Sequence, residues 1–292
     1  MNPRYLFELI VLAALWGGSF LFMRLGAPEF GPVALIEIRT AVAAVFLFPV
    51  VLWYRKLRMI QQNLGLLLIV GAIGTALPFC LLSYATLYVN AGYASILNAT
   101  APIFTALIAW WWVKERLNRT GLAGLLIGFL GVFVLVFDKQ GNTAEIALVP
   151  VLAGLGATCC YGFGANFTRQ KLQHIHPLAI ACGSQAGAAF SLLPFSWWLW
   201  PDDVPGQDAW VSVVVLGIAC TGIAFILYFR LIANVGVNKA ISVTYLIPLF
   251  AVLWGMLFLD ESLTVWMLGG GLLILTGVSL TTGVWPRQHQ SA

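Results

Sequence analysis

Polar residues in this chain cluster, and long apolar stretches run between the clusters. Ten such stretches can be read, at about 5–25, 32–54, 64–88, 91–113, 120–137, 146–168, 177–199, 209–229, 239–259 and 263–285. Each is long enough to cross a bilayer, because about 20 helical residues span the roughly 30 Å hydrocarbon core. A helix also satisfies every backbone group within its own segment, which lipid demands. The pattern predicts an all-α polytopic membrane protein with ten transmembrane spans, numbered here in chain order. Short links join the spans and leave no room for a soluble domain. Span 1 is too long for a signal-peptide core and carries Glu8, so it reads as a retained span.

The pattern also repeats. Pro32, Ala34, Ala41, Ala43, Ala44, Leu47, Pro49 and Trp53 recur 145 residues later as Pro177, Ala179, Ala186, Ala188, Ala189, Leu192, Pro194 and Trp198. Pro102, Phe104, Leu107, Glu115, Leu117, Gly124 and Gly131 recur 146 residues later as Pro248, Phe250, Leu253, Glu261, Leu263, Gly270 and Gly277. Residues 1–138 and 139–292 therefore read as two repeats of five spans. An odd number of spans per repeat forces the halves to insert in opposite directions, as in the inverted repeats of many transporters.

Charge fixes the orientation. Arg4, Arg55, Lys56, Arg58, Lys114, Arg116, Arg119, Arg169, Lys171, Arg230, Lys239 and Arg287 fall on the side of the termini. Arg24 and Lys139 lie opposite, among Glu29, Asp138, Glu145, Asp202, Asp203, Asp208, Asp260 and Glu261. This asymmetry places both termini in the cytoplasm. Arg24, basic on the acidic side, becomes intelligible as the repeat mate of Arg169.

Composition agrees with a membrane chain: 61% hydrophobic, 9% charged, mean hydropathy +0.92, against about 25% charge in a soluble domain. The net charge of +4 then reports topology and not nucleic-acid binding. Cys80, Cys159, Cys160, Cys182 and Cys220 all lie inside spans and show no disulfide or zinc spacing. No lysine follows a glycine, which excludes a phosphate-binding Walker loop. The spans hold no aspartate or histidine for hydrolytic chemistry; His174 and His176 sit in a link and His289 in the tail. An enzyme, a metal and a cofactor are all unsupported, and energy must come from a gradient or a partner.

The polar groups at membrane depth are few. Pro102 and Pro248 occupy matching places in spans 4 and 9, and each frees the carbonyl four residues earlier, those of Asn98 and Thr244. Thr100 and Tyr245 add hydroxyls beside them. Pro78 in span 3 frees Gly74 and is followed by Ser83 and Tyr84. These kinks either serve packing or line a watery cavity. Trp16, Tyr161 and Tyr228 are deep aromatics with a polar handle, suited to core packing or to sandwiching a flat substrate.

Glu37 and Arg39 are two residues apart in span 2, so they point to different faces and cannot pair along their own helix. Their mates are Cys182 and Ser184. They are placed near the outer third, as a structural ion pair, a vestibule lining, a gate or a substrate contact. Glu8 lies close enough to the inner end for its carboxylate to snorkel into water. Glu115 and Glu261 close spans 4 and 9 and read as ties between a helix end and a neighbouring group. Glycines in spans 5 and 10 suggest close helix packing, as scaffold or oligomer contact.

Two five-span halves, the Trp16-Gly17-Gly18 segment, Pro32 to Arg39, and the Pro102–Glu115 and Pro248–Glu261 stretches carry a resemblance. The chain resembles the EamA-type branch of the drug/metabolite transporter superfamily over essentially its whole length, and within it is similar to bacterial aromatic amino-acid exporters. The resemblance implies a ten-helix basket around a central cavity, with spans 1–4 and 6–9 as walls and spans 5 and 10 peripheral. It implies export of amino acids or similar metabolites across a bacterial cytoplasmic membrane by alternating access. A drug or nucleotide-sugar carrier of the same fold, a passive channel, and a membrane scaffold or receptor remain alternatives, and the oligomeric state stays open.

Overall fold

The computed structural model describes residues 2–115, 118–137 and 148–282, with only the backbone at Val237 and Asn238. Arg116, Leu117, Asp138, Lys139, Glu145, Arg287 and His289, which entered the charge and repeat arguments, lie outside the described residues. All regular structure among the described residues is helical. Eight helices are long and apolar enough to cross a membrane: Pro3–Trp53, Leu64–Tyr88, Ala91–Val113, Arg119–Val136, Leu148–Lys171, Pro177–Trp198, Gln207–Val235 and Val265–Thr282, with Val243–Phe258 a shorter apolar helix.

Pro3–Trp53 covers spans 1 and 2. Its 51 residues would reach about 76 Å if straight, more than twice the hydrocarbon core. It is broken at Gly31, whose φ of 71° and ψ of 158° are not helical. Only glycine adopts that backbone readily, and Pro32 behind it disfavours the helical conformation there. The remaining boundaries follow the apolar pattern closely, except that span 8 extends to Val235 and span 9 opens at Val243. Gly236, at φ 85°, sets that stop, and a four-residue helix, Val237–Ala240, follows it.

The paired prolines act differently. Span 4 breaks into Ala91–Asn98 and Ala101–Ile108, and Pro102 sits in the first turn of the second piece, where no N–H is needed. Pro248 lies inside Val243–Phe258, and the chain turns earlier, at Ile241 and Ser242. The expected matching kink is thus displaced in the second repeat. A different pair of irregularities does match: π-helical turns at Ala72–Ala76 in span 3 and Ile218–Ile223 in span 8. Pro78 follows the first, but nothing equivalent follows the second, so proline is not their common cause. In span 8 the Thr221 hydroxyl bonds the Leu216 carbonyl five residues back, at 2.8 Å.

Eight spans close into a ring, joined by contacts that repeat. A Cβ on Gly17 of span 1 would meet Phe250 and Ala251 of span 9, and one on Gly162 of span 6 would meet Phe104 and Thr105 of span 4, the mates of all three. Gly71 of span 3 lies on Ser184, Gly187 and Ala188 of span 7; its mate Gly217 of span 8 lies on Arg39 and Val42 of span 2. Gly92 against Val252 joins spans 4 and 9, and Gly74 against Gly164 joins spans 3 and 6. The Cys182 thiol, 3.8 Å from the Ala44 carbonyl, joins spans 7 and 2. Trp16 against Phe225 joins spans 1 and 8. The circuit runs 1-9-4-6-3-7-2-8 and returns to 1, and exchanging each span for its mate leaves it unchanged.

Spans 5 and 10 stand outside this ring and pack on each other. A Cβ on Gly124 would lie 2.5 Å from the Gly277 carbonyl, and one on Gly270 would lie 2.8 Å from the Gly131 carbonyl. Since 124 pairs with 270 and 131 with 277 in the repeat, these are the same contact seen from its two sides. Tyr93 donates to the Leu135 carbonyl at 2.9 Å and Tyr245 shares a 3.1 Å bond with Thr282, fastening spans 4 and 9 to the pair. Trp110, Trp111, Trp197, Trp198 and Trp200 are exposed at the helix ends, where aromatic belts form.

Candidate functional site

Two aromatic clusters related by the repeat sit where span 1 meets span 8 and where span 6 meets span 3. Trp16 meets Phe225 edge-on at 6.4 Å, and its mate Tyr161 meets Phe79, the mate of Phe225, edge-on at 6.1 Å. Tyr228 adds a third ring 5.1 Å from Trp16. All five rings are half-buried although they sit in the middle stretches of their helices. Phe79 and Phe225 were not among the sequence candidates, though their spacing of 146 marks them.

Arg39 lies beside the second cluster, only 3% exposed. Its Nε–H donates to Thr221 Oγ1 of span 8 at 3.0 Å, and its two terminal nitrogens reach Met23 Sδ at 3.7 Å and Ser19 Oγ at 3.5 Å in span 1. Its guanidinium carbon stands 4.0 Å over the Phe79 ring of span 3. A side chain rooted in span 2 that touches spans 1 and 8 on one side and span 3 on the other must cross the inside of the ring. Ser19 and Thr221 are near the middles of their spans, so the head group lies at mid-depth, deeper than the outer third expected. The reason is reach, since the long arginine side chain carries its charge well away from its own Cα. Among the described residues no carboxylate lies within 4.0 Å of Arg39, and Glu37, half-buried, is in no ion pair.

The other candidates disperse. Thr100 is buried, donates to the Leu97 carbonyl at 2.7 Å and meets Thr158 of span 6 at 3.2 Å. The buried Oδ1 of Asn98 has no partner, and neither has the Ser83 hydroxyl. Pro78 is buried. Tyr84 packs on Tyr88, itself 46% exposed, away from the two clusters. Thr244 bonds back to the Ile241 carbonyl, and Tyr245 turns to span 10. Trp16 thus meets Tyr228, and Tyr161 and Arg39 meet the same Phe79 ring, while Tyr84, Thr244 and Tyr245 join neither group.

Two polar features, Gln185 and Asn166, escaped the sequence reading, and a third, Glu8, is placed otherwise than expected. Gln185, fully buried in span 7, has neither amide atom bonded. Asn166 of span 6 donates to the Thr105 and Gly162 carbonyls, both at 2.9 Å, and ties span 6 to span 4. Its mate is Leu21, so no repetition announced it. Glu8 is buried rather than snorkelling: its Oε1 lies 3.0 Å from Arg230 and 3.4 Å from Arg4, and Oε2 has no partner. The Arg230 partner from span 8 makes burial tolerable where water would otherwise be needed.

The ends of the ring carry matched ties. Glu261 Oε1 accepts from the Ala91 N–H at 2.9 Å and lies 4.0 Å from Arg24, whose guanidinium also donates to the Thr86 carbonyl. At the other end Glu115 lies 2.8 Å from Arg169, which bonds Asn166. Arg24 and Arg169 are mates, as are the two glutamates. A pocket of about 550 Å³ opens beside the Glu261 tie, lined by Arg24, Asn90, Asp260, Glu261 and Ser262 among others. Among the described residues no group of three or more His, Cys, Asp or Glu is placed to hold a metal.

A duplicated, apolar helical bundle with membrane-length helices defines a multi-pass membrane protein. The profile of the EamA-like transporter family matches residues 4–137 and again 148–283, and the chain belongs to that family. An uncharacterized transporter of Archaeoglobus fulgidus is 30% identical over 99% of this chain and 100% of its own length. A probable terminal-alkyne amino-acid exporter of Streptantibioticus cattleyicolor is 28% identical over 93% of this chain and 91% of its own. A solved crystal structure superposes with a TM-score of 0.67 at 18% identity, over 97% of this chain and 98% of that one, which speaks for the fold.

Proposed function

We propose that this transporter exports amino acids with aromatic or apolar side chains from the cytoplasm, by alternating access around the interior of the eight-span ring. The observation that carries the reading is the pair of half-buried aromatic clusters, Trp16, Phe225 and Tyr228 on one side and Tyr161 and Phe79 on the other. Such rings offer flat apolar walls to a substrate side chain. The Streptantibioticus relative, a probable terminal-alkyne amino-acid exporter, lends support. In this reading there are ten spans, with Pro3–Trp53 divided at Gly31 and Val243–Phe258 counted. The two inverted halves are 1–138 and 139–292, supported by the twofold family match. Both termini face the cytoplasm of a bacterial inner membrane, on the charge asymmetry of the links.

Counterflow into liposomes tests it, with a panel of amino acids, drugs and nucleotide sugars. Saturable exchange of aromatic or apolar amino acids, lost in a Trp16→Ala, Tyr161→Ala double variant that still folds, is the expected result. Exchange confined to another class, or flux without saturation or counterflow, would refute it.

A further inference from the structure

We propose that Arg39 is the carboxylate anchor of the transport site and sets the orientation in which substrate is held; this rests on the amino-acid reading above. Of the five N–H groups of its guanidinium, only Nε–H has a strong acceptor, Thr221 Oγ1 at 3.0 Å. The terminal nitrogens face a thioether at 3.7 Å and a hydroxyl at 3.5 Å, both poor partners. Each terminal nitrogen carries a second N–H with no acceptor among the described residues, and such a pair matches the two oxygens of one carboxylate.

The charge itself asks for such a partner. A cation buried at mid-depth of a membrane protein is costly unless paired, and among the described residues no carboxylate is within 4.0 Å of this one. Phe79 offers its face at 4.0 Å, which is a weaker compensation than an anion. Packing does not explain the residue either. Its mate is Ser184, so the scaffold folds around the same position in the other half without a charge.

Arg39 also makes the two aromatic clusters unequal. Phe79 has the guanidinium over its face, whereas among the described residues no cation lies over the rings of Phe225, Trp16 and Tyr228. A zwitterion bound across the ring would set its carboxylate on the Arg39, Phe79 and Tyr161 side and its side chain against Trp16, Phe225 and Tyr228. Symmetry alone would permit either direction; the single arginine selects one.

The test uses the full chain reconstituted in liposomes. Phenylalanine, phenylalaninamide and 3-phenylpropionate are compared as competitors of counterflow and as thermal stabilisers, in wild type, Arg39→Gln and Arg39→Lys, each first shown to be monodisperse. Wild type should favour phenylalanine over its amide by about 30-fold or more, the scale for one buried charge pair. Arg39→Gln should bring that ratio close to 1, and Arg39→Lys should recover part of it, which a purely structural arginine would not do. The proposal is overturned if wild type takes acid and amide equally, or if folded Arg39→Gln keeps the preference. Should Arg39→Gln not fold, the wild-type acid-to-amide ratio and the Arg39→Lys variant decide. Stabilisation by 3-phenylpropionate that depends on Arg39, with no amino-acid counterflow, would remove the amino-acid reading and leave the anchor standing. If no carboxylate compound competes or stabilises, the anchor falls.

Discussion

The two glutamates that end spans 4 and 9 are repeat mates, yet their removal should have unequal consequences, and the shorter ion pair should be the weaker. Glu115 lies 2.8 Å from Arg169, but both side chains are about half exposed, at 53% and 52%. Solvent screens such a pair to about 0.2–1 kcal/mol. Glu261 stands farther from its arginine, at 4.0 Å, but is 10% exposed and accepts the Ala91 N–H at 2.9 Å. A hydrogen bond to a charged, buried acceptor contributes about 1.5–3 kcal/mol, and its loss leaves the first N–H of span 4 unpaired. Glu261→Ala should therefore destabilise by about 2–3 kcal/mol and Glu115→Ala by less than about 1 kcal/mol. Glu261→Gln, which keeps an acceptor for Ala91 but not the charge, should fall between them. Reversible unfolding in mixed micelles, measured for the three variants in one buffer at two salt concentrations, checks this. Only the small Glu115 effect should shrink noticeably with salt. Equal losses, or a larger loss for Glu115→Ala, would mean that burial does not govern these ties.

Two further outcomes follow from packing and from titration. Gly277→Ala should disrupt the contact of span 5 with span 10, because its Cβ would lie 2.5 Å from the Gly124 carbonyl and the Gly128 nitrogen. The expected cost is about 1–3 kcal/mol, whereas Gly269→Ala, whose nearest neighbour would be 3.9 Å away, should be silent in the same melting experiment. His176 caps span 7 by accepting the Leu178 N–H at 3.2 Å on Nδ1. Burial first, and then the nearby Lys56, hold its pKa below the ordinary 6.5. The folded state thus binds fewer protons than the unfolded state between that lowered value and about 6.5, so stability is full above this window and falls as pH drops through it. Melting from about pH 5 to about pH 7.5 should show this slope in wild type and less of it in His176→Asn, which keeps a capping side chain without the titration.

Much of this architecture is legible because membrane solvent makes the pattern strict. Helix ends fall within a few residues of the polar breaks, and the repeat spacing correctly pairs Arg24 with Arg169 and Glu115 with Glu261, whose ties the structure bears out. Glu8 illustrates what is not legible. Its partner Arg230 is distant in sequence and unrelated to it by the repeat, so only the closed ring brings them to 3.0 Å. Arg39 is illegible for another reason: sequence gives the depth of its Cα, while its function resides where the side chain ends. The π turns at Ala72–Ala76 and Ile218–Ile223 hide because they add one residue to a helix without changing its apolar character. Their one signal was the pair Gly71 to Thr75 and Gly217 to Thr221.

The contacts that survive exchange of the halves differ in kind from those that do not. Gly17 and Gly162, Gly71 and Gly217, Gly124 and Gly270 press on backbone in the partner span, so they specify how helices approach and say little about what they enclose. Arg39, Asn166 and the Glu8–Arg230 pair make side-chain interactions across the halves that have no repeat counterpart. The proposed alternating access would require two conformations of similar energy, and matched backbone contacts suit that, because each half could adopt the shape the other holds. Substrate handling requires the opposite. A ligand gripped equally by two mate sites would have no defined orientation, whereas one unpaired cation among symmetric aromatic walls would hold it the same way round as the halves exchange. In the proposed mechanism the duplication accounts for the movement, and Arg39, whose mate is Ser184, for the grip.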